Sequence, residues 1–404
     1  MGSTPDGPIW HGAMRERNLA ILLRAIATNQ PVSRAQLASL TGLAKTTVSN
    51  LVTVLADAGI VRDGQLLHEG ERGRPGVAVT INSDAAAGLG LEINVKYLAA
   101  CVLDLGRRVR YRHMVALDNR GRAPEAVVAS LAQIVDSAKA AVAEQGLSIA
   151  GAVVAVPGVL NWAGTVHAPN LGWSEVPIAS LLSEVVPPLR LPIELDNEAN
   201  LAALGELWFG LGPEAGDFVH VSGETGIGSG IVVDRQVFRG AHGFAGELGH
   251  VTVEPEGSVC ACGGRGCLEG IAGQEAILRA AGLGEAARGD GSGDPRPAMA
   301  VLVEQLQVGD PAALAAVERA GRALGLAVSG AAKLLDPDTV VLGGIFAPLG
   351  LWVRPVVEEE LRRSALHGSS PRVAVSPVAA ESAVLGAAGK VIELVHADPA
   401  LLLR

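Results

Sequence analysis

The chain has 404 residues, 49% of them hydrophobic and only 3% aromatic, with 51 glycines and a net charge of −10. That is room for two or three domains with close-packed α/β layers, and it argues against an aromatic-rich binding scaffold. The longest apolar run, near Ile149–Leu160, is broken by Pro157 and Gly158 and falls short of the roughly 20 residues of a membrane span. No basic start leads into an apolar stretch, so a soluble cytoplasmic protein without a membrane partner is expected.

Residues 1–12 are rich in Gly and Pro and are expected to lack order. Leu19, Leu22, Leu23 and Ile26 have helical spacing over Arg15–Ala27, and Pro31 stops that helix. Ser33 caps a short helix to about Ser39, and Thr41-Gly42-Leu43 makes a turn. A second helix runs from about Ala44 to Ala58, with Val48, Leu51, Val52 and Leu55 on one face. Asp63-Gly64 is a hairpin signal between two short strands, Ile60–Arg62 and Gln65–His68. Val77–Ile81 reads as a returning strand, and 82–87 as a domain junction.

Three apolar runs follow at Gly88–Ile93, Leu98–Leu103 and Val109–Val115, then a long amphipathic helix, Pro124–Glu144, and a buried strand, Ile149–Val156. A similar order recurs with strands at Phe218–Ser222, Gly228–Val233 and Gln236–Phe238, two long helical stretches, and a strand at Thr339–Leu342. Two rounds of strands, helix and strand predict a duplicated α/β fold with a ligand cleft between lobes. Glu381–Leu394 is a helix expected to pack back on the body. The predicted division is a head at 1–82, a first lobe at 83–195 joined by 381–404, and a second lobe at 196–380.

The first 82 residues hold 8 basic and 6 acidic side chains, so the acidity lies in the body. The head has helix–turn–helix logic. Its second helix offers Lys45, Thr46, Thr47, Ser49 and Asn50 on its early turns, where a recognition helix meets the major groove. Arg34 stands near the start of the first helix of the pair. The loop Glu69–Gly76 carries Arg72 and Arg74 on a narrow Gly/Pro backbone, suited to the minor groove. These residues predict a winged helix–turn–helix contacting double-stranded operator DNA. The competing reading is a three-helix protein-interaction module.

His250 is followed by Cys260, Cys262 and Cys267, three of the four cysteines within eight residues. One imidazole and three thiolates form a closed tetrahedral set, which predicts a structural Zn2+ without an open position for activating water. The alternative is a trio of reduced thiols.

Gly-Glu-Leu-Gly-His at 246–250 followed by Cys-x-Cys-Gly-x-x-Gly-Cys-x-Glu at 260–269 resembles the signature of the ROK family (repressors, open reading frames and sugar kinases). Val156-Pro157-Gly158, Asn197-Glu198-Ala199-Asn200, Thr225–Gly230 and Val341–Gly344 extend the resemblance over 83 to about 390. With the winged head, the chain looks most like the xylose-repressor-like branch. The resemblance implies a two-lobed, actin/hexokinase-like body, duplicated on a ribonuclease H-like unit, with a sugar or sugar phosphate in the cleft. Its hydroxyls would meet Asn197, Glu198, Glu247, His250 and Glu269, with Gly158 and Asn170 from neighbouring loops.

Family kinases carry Asp-x-Gly-Gly-Thr as their first phosphate loop. Here the matching place reads Glu92-Ile93-Asn94-Val95-Lys96, without the glycines that let amides approach phosphate. The family's catalytic Asp falls at Glu198, one methylene longer. The expectation is therefore a sugar-responsive repressor that is not an enzyme, acting as a homodimer or tetramer on a pseudo-palindromic operator. An ATP-dependent sugar kinase is the alternative.

Overall fold

The computed structural model describes residues 11–67, 76–161, 163–186, 189, 192–284, 296–365 and 368–403. Of the N-terminal stretch expected to lack order, 1–10 lie outside these residues, while His11 and Gly12 open helix α1 (His11–Asn29). Strand β1 (Val32–Ser33) leads into α2 (Arg34–Thr41). The Ser33 hydroxyl accepts from Gln36 N, and the Gln36 side chain accepts from Ser33 N (2.8 Å), a reciprocal capping box. Gly42 ends α2 with φ 70°, a conformation that costs glycine nothing. Helix α3 (Lys45–Asp57) then buries the predicted face, Val48, Leu51, Val52 and Leu55.

Strands β2 (Val61–Leu67) and β3 (Gly76–Ile81) complete a three-stranded antiparallel sheet in the order β1-β3-β2. The hairpin expected at Asp63-Gly64 is not there. Both residues lie inside β2, where pairing shifts from Asp63↔Val79 to Leu66↔Val77 across a bulge. The physical reason is that β3 is long enough to pair on both sides of the bulge, so the strand continues. Of the predicted Glu69–Gly76 loop, 69–75 lie outside the described residues and Gly76 opens β3.

The body holds two five-stranded sheets of the same design. The first contains β4 (Ala87–Ile93), β5 (Tyr97–Asp104), β6 (Val109–Ala116), β7 (Ile149–Val156) and, after a small sheet of β8 (Val159–Leu160), β9 (Val166–Ala168) and β10 (Trp173–Val176), strand β11 (Ile193–Asn197). Helices α4 (Pro124–Ala143) and α5 (Ile178–Val185) cover it. Helix α6 (Glu198–Phe209) then leads into β12 (Phe218–Gly223), β13 (Ile227–Val233) and β14 (Gln236–Phe238). Short helices α7 (Glu269–Ala272) and α8 (Gln274–Ala280) follow, then α9 (Arg296–Gln307), α10 (Pro311–Leu335), β15 (Thr339–Gly344), α11 (Gly350–Arg363), β16 (Arg372–Val375), and α12 (Ser382–Ala397) with α13 (Ala400–Leu403). The orders are β11-β7-β4-β5-β6 and β14-β13-β12-β15-β16. In each, three strands run antiparallel, and the first of them pairs in parallel with the strand beyond the long helical segment. A second parallel strand closes each edge. Duplication is thus visible in strand order and direction together.

Helix α4 is long and apolar enough to cross a membrane by length and composition. Here its apolar face, Val127, Val128, Leu131, Ile134, Val135, Ala138 and Val142, is buried in the first lobe's core.

Helices α6 and α12 cross with their backbones nearly touching. A Cβ at Gly205 would lie 2.0 Å from Ser382 O, and one at Gly386 would lie 1.8 Å from Leu201 O. Only glycine permits that approach. Helix α12 also lies on β4, where a Cβ at Gly90 would meet Val384 O at 2.2 Å. The buried apolar residues of the head join those of α6 and α12 in one continuous core, from Leu19 and Leu23 to Leu201, Val391 and Ile392. A charged node closes the same junction. Glu393 of α12 accepts from Arg107 (3.2 Å) and pairs with Arg24 of α1 (3.5 Å), while Arg107 lies over the Trp208 ring of α6 at 5.0 Å.

Candidate functional site

On the head, Lys45, Thr46, Ser49 and Asn50 are exposed and Thr47 half-buried on the first turns of α3. Ala44 provides no side-chain cap, so the helix start keeps unsatisfied N–H groups, which suit an anion. Arg34 is engaged in an ion pair. Its guanidinium holds Asp63 with two contacts (2.8 and 3.1 Å), tying α2 to β2. Arg72 and Arg74 lie outside the described residues.

In the body, all seven residues expected to meet sugar line one cavity of about 540 Å³ between the lobes: Gly158, Asn170, Asn197, Glu198, Glu247, His250 and Glu269. Asn197 ends β11 and caps α6. Its Oδ1 accepts from Ala199 N (2.9 Å) and Asn200 N (3.2 Å), and its Nδ2 donates to Gly158 O (2.8 Å). Gly158 has φ 78°, and a Cβ there would meet His167 O at 2.3 Å. From the other lobe, Gly246 (φ 97°) packs on Ser229 O and delivers Glu247, while Glu269 opens α7. Sequence reading missed Asp196, Glu224, Arg239 and His242, which line the same cavity. They lie outside the motif residues, and no spacing rule singles them out.

Burial pushes Glu198 up to about 8, with Glu92 and then Glu247 adding to the rise. A carboxyl raised towards neutrality donates a hydrogen bond in its protonated form and accepts a proton in its ionised form. Glu92, buried on β4, is pushed up to about 7 by burial, opposed by hydrogen bonds from Tyr97 and Asn94. The Tyr97 hydroxyl donates to it at 2.7 Å. The turn that follows is closed on itself. Asn94 N donates to Tyr97 O (3.0 Å), Lys96 N to Asn94 Oδ1 (3.1 Å), and Asn119 Nδ2 to Asn94 O (2.7 Å). The Lys96 ammonium pairs with Asp118 at 3.1 Å. Those two amides are therefore already engaged where a phosphate loop would present them.

The ligand atoms of His250, Cys260, Cys262 and Cys267 all lie within 4.8 Å of one another. His250 Nδ1 is 3.8 Å from Cys260 Sγ, Cys262 and Cys267 Sγ are 3.7 Å apart, and Gly264 N donates to Cys262 Sγ. Gly266 (φ 65°) is sterically required, since a Cβ there would overlap Glu254 O, and a Cβ at Gly264 would sit tightly, 3.3 Å from two sulfurs. These four residues can hold a metal ion. His250 turns its other nitrogen towards the cleft, with Nε2 3.8 Å from Glu247 Oε2. The Cys260 thiol donates to Glu269 Oε1 at 3.0 Å. The cysteine cluster and the cavity wall thus form one piece.

Fold and site together define the class of a sugar-responsive DNA-binding repressor, a winged-helix head on a duplicated body with a carboxylate-lined cleft. The chain belongs to the ROK family, whose model matches residues 88–393, and a MarR-family model matches 19–65 of the head. It is 31% identical over 403 residues to the putative xylose repressor of Caldicellulosiruptor sp. (strain Rt8B.4), covering 96% of this chain and 98% of that one. Its fold is shared with a ROK family transcriptional regulator described as a homolog of the E. coli MLC protein (TM-score 0.79, 24% identity, 96% and 98% covered). It is also similar to a ROK family glucokinase from Streptomyces griseus solved with glucose and AMPPNP (TM-score 0.62, 26% identity), which covers 76% of this chain and is itself 99% covered.

Proposed function

We infer that an uncharged sugar of the xylose type, bound between the lobes, changes the grip of a pair of heads on operator DNA. The observation that carries this reading is the convergence on one cavity, whose wall is the start of α6, of the seven residues expected to meet a sugar. That helix is packed on α12, which carries the head through α1. A sugar that prefers one lobe angle therefore acts on the element that seats the head. Lys45, Thr46, Thr47, Ser49 and Asn50 meet the DNA, and two chains place two heads on a pseudo-palindromic site. Acting on DNA, the protein works in the cytoplasm.

The charge of the cleft selects against phosphate. Glu194, Asp196, Glu198, Glu224, Glu247 and Glu269 line it, against the cations Arg239 and Lys390. A phosphate dianion would meet like charge, whereas hydroxyls find acceptors in the carboxylates and a donor in protonated Glu198. The closed turn at Asn94–Lys96, whose amides are already bonded, opposes phosphoryl transfer and supports a body that binds sugar as an effector.

The test is operator binding, on a DNA fragment selected in vitro, with and without D-xylose. A shift of about 5- to 150-fold is expected. Indifference to both xylose and glucose would overturn the reading.

His250, Cys260, Cys262 and Cys267 fit Zn2+ by their donor chemistry, and the ion would act there as a structural clamp. It fixes His250 and, through the cysteine loop, Glu269. Stripping the metal with a chelator is expected to abolish the xylose response while leaving sugar-free operator binding within about threefold, since the head is remote from the cluster. Restoration by zinc supports the assignment, and an undiminished response in metal-free protein contradicts it.

A further inference from the structure

We propose that the Asp196–Arg239 ion pair is the positioning device of the sugar site, holding the half contributed by one lobe in register with the half contributed by the other. The proposal rests on the reading of the cleft as a sugar site. Asp196 stands on β11 in the first sheet, directly before Asn197 and Glu198. Arg239 follows β14 at the edge of the second sheet and starts the segment that ends eight residues later at Glu247. The pair spans the cleft.

The contact is bidentate, with Arg239 Nη1 to Asp196 Oδ1 at 2.7 Å and Nη2 to Oδ2 at 2.6 Å. The Asp196 side chain is only 12% exposed. A planar fork of this kind fixes orientation as well as distance. The same Oδ1 also accepts from Asn197 N at 2.9 Å. Asp196 therefore grips the backbone of the residue that caps α6 and reaches Gly158. On the far side, Arg239 O accepts from Ala245 N (3.2 Å), closing the loop, and Gly246 O accepts from Ser229 N and its hydroxyl. A displacement of Arg239 is thus passed to Glu247 over a short, internally bonded segment. With two of its N–H groups committed to Asp196, Arg239 acts as a positioning residue for the two halves of the site.

The experiment measures D-xylose affinity by calorimetry for the full-length chain, for Asp196→Asn, for Arg239→Gln and for the double variant, with sugar-free operator affinity measured in parallel. Either single substitution is expected to weaken xylose binding at least tenfold while leaving sugar-free operator affinity within about twofold. The double variant is expected to be no weaker than the worse single, because the second change removes a partner already lost. Arg239→Lys, which keeps the charge but not the fork, is expected to fall between wild type and Arg239→Gln. Xylose affinity within twofold of wild type in folded Asp196→Asn overturns the proposal, as do losses that multiply in the double variant. A wild-type chain that binds neither xylose nor glucose sinks the sugar reading and this proposal with it. A wild type that binds beside an equally competent Asp196→Asn sinks this proposal alone.

Discussion

Gly386→Ala is expected to cost about 3 kcal/mol of stability, and Gly386→Val to prevent folding of the body. The new Cβ would lie 1.8 Å from Leu201 O and 2.8 Å from Gly205 N, both backbone atoms of α6. No side-chain rotation relieves that overlap, so α6 and α12 must separate. Overpacking a core ordinarily costs about 1–3 kcal/mol, and a backbone-on-backbone clash belongs at the upper end. The separation also withdraws α12 from β4, where Gly88 and Gly90 admit it equally closely. Gly330→Ala is the matched control. It is exposed in α10, nothing lies within 4 Å of its Cβ, and the change is expected to stabilise by up to about 1 kcal/mol through helix propensity. Urea unfolding of the two variants checks both signs, and similar midpoints for the two would refute the argument.

The periodic elements were legible because their apolar faces are local patterns. Val48, Leu51, Val52 and Leu55 announce α3, and the three apolar runs after residue 87 announce β4 to β6. The His/Cys cluster and the motif residues Asn197, Glu198, Glu247 and Glu269 of the cavity were legible for a related reason, since they sit within short contiguous motifs. What escaped depends on partners remote in sequence. Asp63-Gly64 has the composition of a turn, yet β3 pairs on both sides of it and Arg34 holds Asp63 from 29 residues away. Strand β16 has four residues, too few to show a period, and is fixed by parallel pairing with β15. Asp196 and Arg239 are 43 residues apart on different sheets, and neither stands in a motif. The glycines of α6 and α12 read as weak helix positions in isolation, and their purpose appears only where the helices cross.

Glu393→Arg is expected to reduce the sugar-induced change in operator affinity from about 5- to 150-fold to below twofold, with xylose affinity unchanged. As a bond, the Glu393 contact contributes little, since partly exposed ion pairs are worth about 0–1 kcal/mol. Its importance lies in its place. Glu393 is the carboxylate between Arg24 of the head and Arg107 of the body, and Arg107 rests on Trp208 at the end of the helix that begins at Asn197 and Glu198 on the cavity wall. Reversing its charge sets a third cation against two existing ones. His396 adds no compensation: burial, then Arg107 and Arg24, push it down to about 4, so it stays neutral. The head then keeps its apolar contacts and the Arg62–Asp84–Arg110 pairs but loses its charged tie to α12, and no longer follows that helix. Because the cavity residues are untouched, binding of xylose persists while its consequence is lost. Adding Arg24→Glu to Glu393→Arg restores opposite charges across the junction and is expected to recover at least half of the response on a logarithmic scale. Operator binding titrated with and without xylose for the single and double variants decides the matter. A full response in Glu393→Arg, or no recovery in the double variant, would show that the signal reaches the DNA by another route.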